Sequence, residues 1–282
     1  MNEEAIQSLV GSEMEQKDII DNHRLNAMRA LLDRDDIPLQ KGDALPPCWH
    51  WAFCVDTVAQ SQLGPDGHPR KGNFLPDLGL PRRMWAGSRI KFHTSLIIGN
   101  SITKNSKIVS ITPKSGKTGK LVFIVVRHSW YAGGTLAIEE EQDIVYRELS
   151  GTVSMKNNGS TISQRPTWTR EIFPDSVKLF RYSAITFNSH RIHYDRPYCL
   201  NDEGYSGLVV HGPLIATLLI DLFQVNNPNS IIKEFSFRAV APLFDGKTFK
   251  VNGLRENDDG WCDVWAENAD GFLATHGRIF AH

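Results

Sequence analysis

One segment limits the fold of this chain more than any other: Gly212-Pro213 followed by Leu214, Ile215, Ala216, Leu218, Leu219, Ile220, Leu222 and Phe223. A helix with almost no polar face is normally wrapped by other elements. Proline suits its first turn, where the missing N–H would have no partner anyway. Glycine just ahead lets a ligand or another chain approach the backbone closely. Thr217 and Asp221 interrupt the run, which is too short to span a bilayer.

The elements available to wrap this helix are strands. Arg89 to His93, Lys104 to Pro113, Lys120 to Trp130 and Gly134 to Arg147 are rich in Ile, Val, Thr and Phe and are separated by turn signals. A second run follows the helix: Ile231 to Ala239, Lys247 to Glu256, Trp261 to Asn268 and Phe272 to Phe280. Residues 1 to about 35 read as helical, from Ile6, Leu9, Val10, Leu25, Met28, Leu31 and Leu32 at three- and four-residue spacing. Pro38 through Pro81 reads as loop, and Val177 to Thr186 as an approach segment and first strand of the second unit. Helix followed by strands, twice over, predicts an α+β protein of two related units, a double hotdog in which each curved antiparallel sheet surrounds a helix. The expected boundaries are 1–150 for an N-terminal degenerate unit, 151–165 for a polar linker and 166–282 for the C-terminal unit.

Composition narrows the function. A net charge of −1 over 282 residues supplies no field for nucleic acid or an anionic membrane. The N-terminus is acidic where a secretory leader would be basic, and Cys48, Cys54, Cys199 and Cys262 show no CxxC pair, so buried free thiols and a cytoplasmic location are expected. Ser115-Gly116-Lys117-Thr118-Gly119-Lys120 resembles a phosphate-binding loop only superficially. It lacks the glycine five residues before Gly116 and leads into a strand, so a hairpin turn is expected.

The polar residues concentrate just ahead of the apolar helix, in Phe187-Asn188-Ser189-His190-Arg191-Ile192-His193-Tyr194-Asp195 and Glu203-Gly204-Tyr205-Ser206-Gly207-Leu208-Val209-Val210-His211-Gly212-Pro213. Histidine exchanges protons near neutral pH. The helix start at Gly212 offers free backbone N–H groups and a positive dipole end to a developing oxyanion. Together they suit chemistry at an activated carbonyl. His190, His193 and Asp195 lack a further spaced ligand, so no metal is expected.

These residues resemble the MaoC-like R-specific enoyl-coenzyme A hydratases, whose motif runs Gly-Asp-x-Asn-Pro-(Ile/Leu)-His and continues to a Gly-Phe and a His-Gly that opens the central helix. With the terminal histidine on His193, Asn188 stands at the family aspartate, Gly204-Tyr205 at the Gly-Phe and His211-Gly212 at the His-Gly. FNSHRIHYD, EGYSGLVVHGPL and the N-terminal Leu80-Pro81-Arg82-Arg83-Met84-Trp85-Ala86-Gly87 are similar to the double-hotdog branch that holds itaconyl- and mesaconyl-coenzyme A hydratases and hydroxyacyl-thioester dehydratases.

The resemblance implies His193 as acid and base, Asn188 as holder of water, and the Gly212 N–H as oxyanion donor. Asp195 would be an orienting or second acid/base group. Arg191, Tyr205, His211, Arg83 and Trp85 would meet the acyl-coenzyme A substrate. Arg191 lies inside the motif and suits a free carboxylate. Arg82, Arg83, Arg89 and Lys91 around Trp85 suit phosphates or a carboxylate, or else form a solvated strand end. The expected reaction is hydration of itaconyl- or mesaconyl-coenzyme A to citramalyl-coenzyme A without a metal or redox cofactor. The alternatives are a fatty hydroxyacyl-thioester dehydratase and a hotdog thioesterase. One site per chain is expected at the seam of the units, and a further homodimer is compatible with this design.

Overall fold

The computed structural model describes residues 6–34, 39–116, 119–148, 159–257 and 259–282. Ten strands form a single sheet, and every pairing is antiparallel. The first half comprises β1 (Glu13–Ile19), β2 (Arg82–Phe92), β3 (Ser101–Gly116), β4 (Gly119–Ala132) and β5 (Thr135–Arg147). The second comprises β6 (Trp168–Ile172), β7 (Ile232–Ala239), β8 (Phe249–Gly253), β9 (Trp261–Glu267) and β10 (Leu273–Ala281). Their order is β1-β3-β4-β5-β2-β7-β10-β9-β8-β6, so the two half-sheets join where β2 pairs with β7.

At that seam Ile90 faces Phe235 in register, and both are buried. Gly87 is also required there, because a Cβ would collide with the carbonyl oxygen of Phe237 on β7. The expected hairpin at Ser115–Lys120 is present. The β3–β4 register closes with Gly116 opposite Gly119, and Lys117 and Thr118 lie outside the described residues.

The apolar segment forms α4 (Gly212–Asn226), preceded by α1 (Asn22–Leu31), α2 (Ser176–Ile185) and the short α3 (Arg196–Asn201). Strands β6, β8, β9 and β10 pack around α4, and every residue from Leu214 to Phe223 is buried. The two polar residues of that buried stretch, Thr217 and Asp221, are satisfied, as buried polar groups must be. Thr217 Oγ1 donates to the Pro213 carbonyl at 2.8 Å, and Asp221 accepts from Arg34 at 2.5 Å and Arg170 at 2.7 Å. Arg34 precedes β2 in the chain, so Asp221 also ties the N-terminal segment to the central helix.

Two local expectations need correction. The N-terminal segment is not one helix. Glu13–Ile19 is a strand with alternating exposure, paired to β3 from Glu13↔Lys107 to Ile19↔Ser101. Its apolar spacing was compatible with a helix, but pairing along the edge of the sheet overrides local preference. Val177 to Thr186 is not a strand: Val177 to Ile185 lies within α2, and Thr186 is its C-cap. Asp175 caps it by accepting from the Lys178 N–H at 2.7 Å, and Leu179, Tyr182 and Ser183 line one buried face. The first strand of the second half is instead Trp168–Ile172. Part of the expected linker, residues 151–158, lies outside the described residues. All four cysteines are buried free thiols. Among the described residues no helix is long and apolar enough to cross a membrane.

Candidate active site

The sequence motif folds as α2, a sharp turn, a 3-10 turn over Arg191–His193, and then α3. Asn188 makes the turn: its side-chain oxygen accepts from the His190 backbone N–H at 3.0 Å. This brings His190 and His193 beneath the start of α4. His211, the residue before Gly212, stacks on His193 with ring centroids 3.6 Å apart. His190 meets His193 edge-on at 5.5 Å. Three histidines of the motif therefore form one cluster of touching rings.

The histidines differ in their hydrogen bonds, and the difference assigns their roles. His193 is buried, and its Nδ1 lies 2.7 Å from the Val209 carbonyl. A carbonyl only accepts, so Nδ1 carries the proton and Nε2 keeps a free lone pair. Burial pushes this imidazole down to about 4, against the Val209 hydrogen bond that raises it, with the charge of His68 lowering it further. Neutral at pH 7, His193 is poised as a base. His211 is fully buried, bonded through Nε2 to Ser183 Oγ at 2.8 Å, and held well below the usual range by burial and then by His193. It braces His193 from behind.

Gly212 opens α4, where the first N–H groups have no partner within the helix. A Cβ at this position would meet no protein atom within 4 Å, so the space beside it is open. Gly212→Ala is therefore expected to leave the melting temperature nearly unchanged. If the Gly212 N–H receives an acyl oxygen, as the sequence resemblance implies, steady-state kinetics should show kcat/KM lowered on the order of 10²-fold, because a methyl group there would push that oxygen off the donor.

A loop of the N-terminal half completes the cluster, and the sequence reading missed it. His68 Nδ1 lies 3.1 Å from Asp66 Oδ2, and the His68 ring sits 4.0 Å from that of His190. The loop is pinned to the motif. Arg191 N donates to the Asp66 carbonyl at 2.9 Å, and Ser189 Oγ to the Gly67 carbonyl at 2.5 Å. Gly67 has a φ of +86°, and a Cβ there would collide with the Ser189 carbonyl oxygen. Only glycine meets both demands. Burial raises the Asp66 carboxyl, but the His68 hydrogen bond and charge outweigh it, and the net shift is downward. His68 is lowered by burial, which Asp66 partly offsets. The local signal was present in Gly64-Pro65-Asp66-Gly67-His68: a rigid turn carrying an acid two residues before a histidine.

Other candidates occupy different places. Asp195 caps α3 through the Tyr198 N–H at 3.1 Å and pairs with Arg191 at 2.8 Å. Arg191 also donates to the Pro65 carbonyl at 2.9 Å and lies over the Tyr198 ring. Both side chains are thus engaged with each other and with the protein, which leaves neither aimed at the histidines. Arg82 pairs with Glu203 at 2.9 Å and lies over the Tyr205 ring, so Tyr205 packs with that ion pair. Arg89 pairs with Asp143 at 2.7 Å.

Arg83 is the exception. It is half-buried and bears electrostatically on Asp66, His68 and His190, and no carboxylate lies within ion-pair distance of it among the described residues. Trp85 packs at the seam against Trp51 and Phe237, with its indole N–H bonded to Ser88 Oγ at 2.9 Å. Ser88 in turn serves the fully buried Glu140 at 2.8 Å, which also accepts from Trp51 at 3.0 Å.

The metal set considered from sequence, His190 and His193 with Asp195, does not assemble, since Asp195 is paired with Arg191. Asp66, His68 and His190 do bring ligand atoms within 4.8 Å of one another. The Asp66–His68 hydrogen bond accounts for two of those three groups.

Comparison with known proteins shows the family of this chain and its fold. The family model for hydroxyacyl-thioester dehydratase type 2 matches residues 48–245, which include both the Asp66–His68 loop and the His193 motif. The chain is 47% identical over 235 residues to mesaconyl-C(4)-CoA hydratase of Chloroflexus aurantiacus, covering 83% of each. It is 26% identical over 266 residues to the mitochondrial hydroxyacyl-thioester dehydratase type 2 of Schizosaccharomyces pombe, covering 84% of this chain and 87% of that one. A Mycobacterium tuberculosis protein with a double hotdog fold superposes with a TM-score of 0.65 at 12% identity, covering 97% of this chain and 96% of that one. The two half-sheets are therefore a double hotdog.

Proposed function

Because this chain belongs to the hydroxyacyl-thioester dehydratase type 2 family and is a hydro-lyase, we propose that it reversibly hydrates a short dicarboxylic enoyl-coenzyme A, mesaconyl- or itaconyl-coenzyme A, to citramalyl-coenzyme A. The observation that carries the substrate class is the 47% identity to a mesaconyl-C(4)-CoA hydratase over 83% of both chains. The guanidinium of Arg83, which lies beside the histidines and meets no carboxylate among the described residues, supports it, since a substrate carboxylate is a partner that such a group would bind.

In this reading the thioester oxygen lies on the Gly212 N–H at the positive end of α4. His193 Nε2 takes a proton from water as the oxygen bonds to the β-carbon. The pair of electrons from the double bond moves onto the thioester as an enolate. The imidazolium then gives the proton to the α-carbon. Val209 holds the His193 tautomer throughout, and His211 limits its rotation. No oxidation state changes, so the reaction calls for no redox cofactor. Fatty hydroxyacyl thioesters are the second reading, supported by the more distant fungal dehydratase.

The test compares hydration of mesaconyl-, itaconyl- and crotonyl-coenzyme A by loss of enoyl absorbance, with free thiol followed in parallel. The dicarboxylic thioesters should show kcat/KM at least tenfold above crotonyl. Preference for crotonyl would move the assignment to fatty chains, and thiol release would make it a thioesterase.

A further inference from the structure

The mechanism leaves one group beside the site without a task, and one task without a group. A water attacking the β-carbon has two hydrogens. One goes to His193 Nε2. The second needs an acceptor, or the water lone pair is not held toward the carbon. Asn188 is poorly suited to supply it, because its oxygen is drawn onto the His190 backbone N–H and its other terminal group is a donor.

We propose that His68, held by Asp66, is the second acceptor for the attacking water and thus a catalytic residue. The inference rests on the hydratase reading of the site. The Asp66 carboxylate binds Nδ1 at 3.1 Å, which places the His68 proton on Nδ1 and leaves the Nε2 lone pair free. The ring then lies 4.0 Å from that of His190, which in turn meets His193 edge-on at 5.5 Å, so all three imidazoles belong to one cluster. The loop cannot drift, because it is bonded to the motif backbone at Arg191 and Ser189 and packed at Gly67.

In the step, the water O–H facing His193 breaks as the C–O bond forms. That proton returns from His193 to the α-carbon. The other hydrogen remains on the product hydroxyl, bonded to His68 Nε2. A carboxylate–imidazole pair from one half of the molecule thereby stands in for the acidic residue that Asn188 replaces in the other half.

The decisive variant is His68→Asn, whose amide nitrogen keeps the place of Nδ1 against Asp66 while Nε2 is removed. Steady-state hydration of mesaconyl- and crotonyl-coenzyme A should show kcat lowered on the order of 10²-fold for both, with KM within about threefold. In His68→Ala, added imidazole should restore at least about tenfold of the lost kcat. A His68→Asn enzyme as fast as wild type would overturn the proposal and leave the hydratase reading intact. Wild-type enzyme inactive on every enoyl thioester would overturn both. Loss in His68→Asn with no rescue of His68→Ala would assign the loop a packing role and overturn it. Wild-type activity abolished by a chelator and restored by zinc would do so too, making Asp66, His68 and His190 a cation site.

Discussion

Replacing His193 with Asn is expected to lower kcat for hydration on the order of 10³-fold, the cost of removing a group proposed as both base and acid. Asparagine is the informative choice. Its amide nitrogen reaches the position of Nδ1 and keeps the hydrogen bond to Val209, so only Nε2 is lost. KM for the thioester should hold within a few-fold, since the Gly212 donor and the Arg83 side of the cavity are untouched. Circular dichroism and thermal melting separate this from unfolding. A folded His193→Asn enzyme with near wild-type kcat would remove His193 from the mechanism.

The wild-type pH profile follows from the same residue. A base works in its neutral form, and burial pushes His193 down to about 4, so kcat should stay level from neutrality to about pH 5. Stability moves in the same direction. Free imidazole titrates near 6.5, and His128 is also pushed to about 4 by burial. Above about pH 6.5 both the folded and unfolded forms are neutral, and the contribution is whole. As pH falls toward 4 the unfolded chain takes up protons that the native one refuses, and stability is lost.

Arg83→Met should separate substrate choice from chemistry. If Arg83 holds the substrate carboxylate, kcat/KM for mesaconyl-coenzyme A falls on the order of 10²-fold. That matches about 2–3 kcal/mol for a charge-assisted contact whose loss strands the partner carboxylate. Crotonyl-coenzyme A, which has no such carboxylate, should change by less than about threefold. Methionine preserves the apolar stem of the arginine, so packing on β2 is largely kept. The same substitution at Arg191 is expected to act differently. Arg191 is engaged by Asp195 and the Pro65 carbonyl, so its loss should loosen the loop and depress both substrates together. Equal loss on both thioesters in Arg83→Met would remove the carboxylate role.

How much of this was legible beforehand depended on the range of the contacts involved. The helix α4 was readable because its apolar residues leave no face for water, whatever surrounds it. Strands β3 to β5 and β7 to β10 were readable to within a few residues from β-branched runs between turns. The order Asn188, His190, His193, His211, Gly212 was readable because these positions are set by one continuous stretch of backbone. Failures came where a distant partner decided. Glu13–Ile19 is a strand because β3 offers its edge, and Ser176–Ile185 is a helix whose buried face packs on α1 from the other half of the chain.

The charged side chains show the same division. Arg82, Arg83, Arg89 and Arg191 look equivalent as residue types, yet three are paired by Glu203, Asp143 and Asp195. Only the fold shows that Arg83 meets no carboxylate among the described residues. Pro65 and Arg191 lie 126 positions apart, and no periodicity links them.

By itself, the sequence determined that a fully apolar helix starts at Gly212, that strands wrap it, and that a histidine-rich turn lies at its head. These follow from solvent exclusion and local backbone chemistry, which act over a few residues. The tertiary structure alone decided which imidazole nitrogen is free, which arginine lacks a carboxylate, and that Asp66 and His68 join the site. Those depend on hydrogen bonds and ion pairs closed between distant parts of the chain, and their partners are chosen only when the two half-sheets meet.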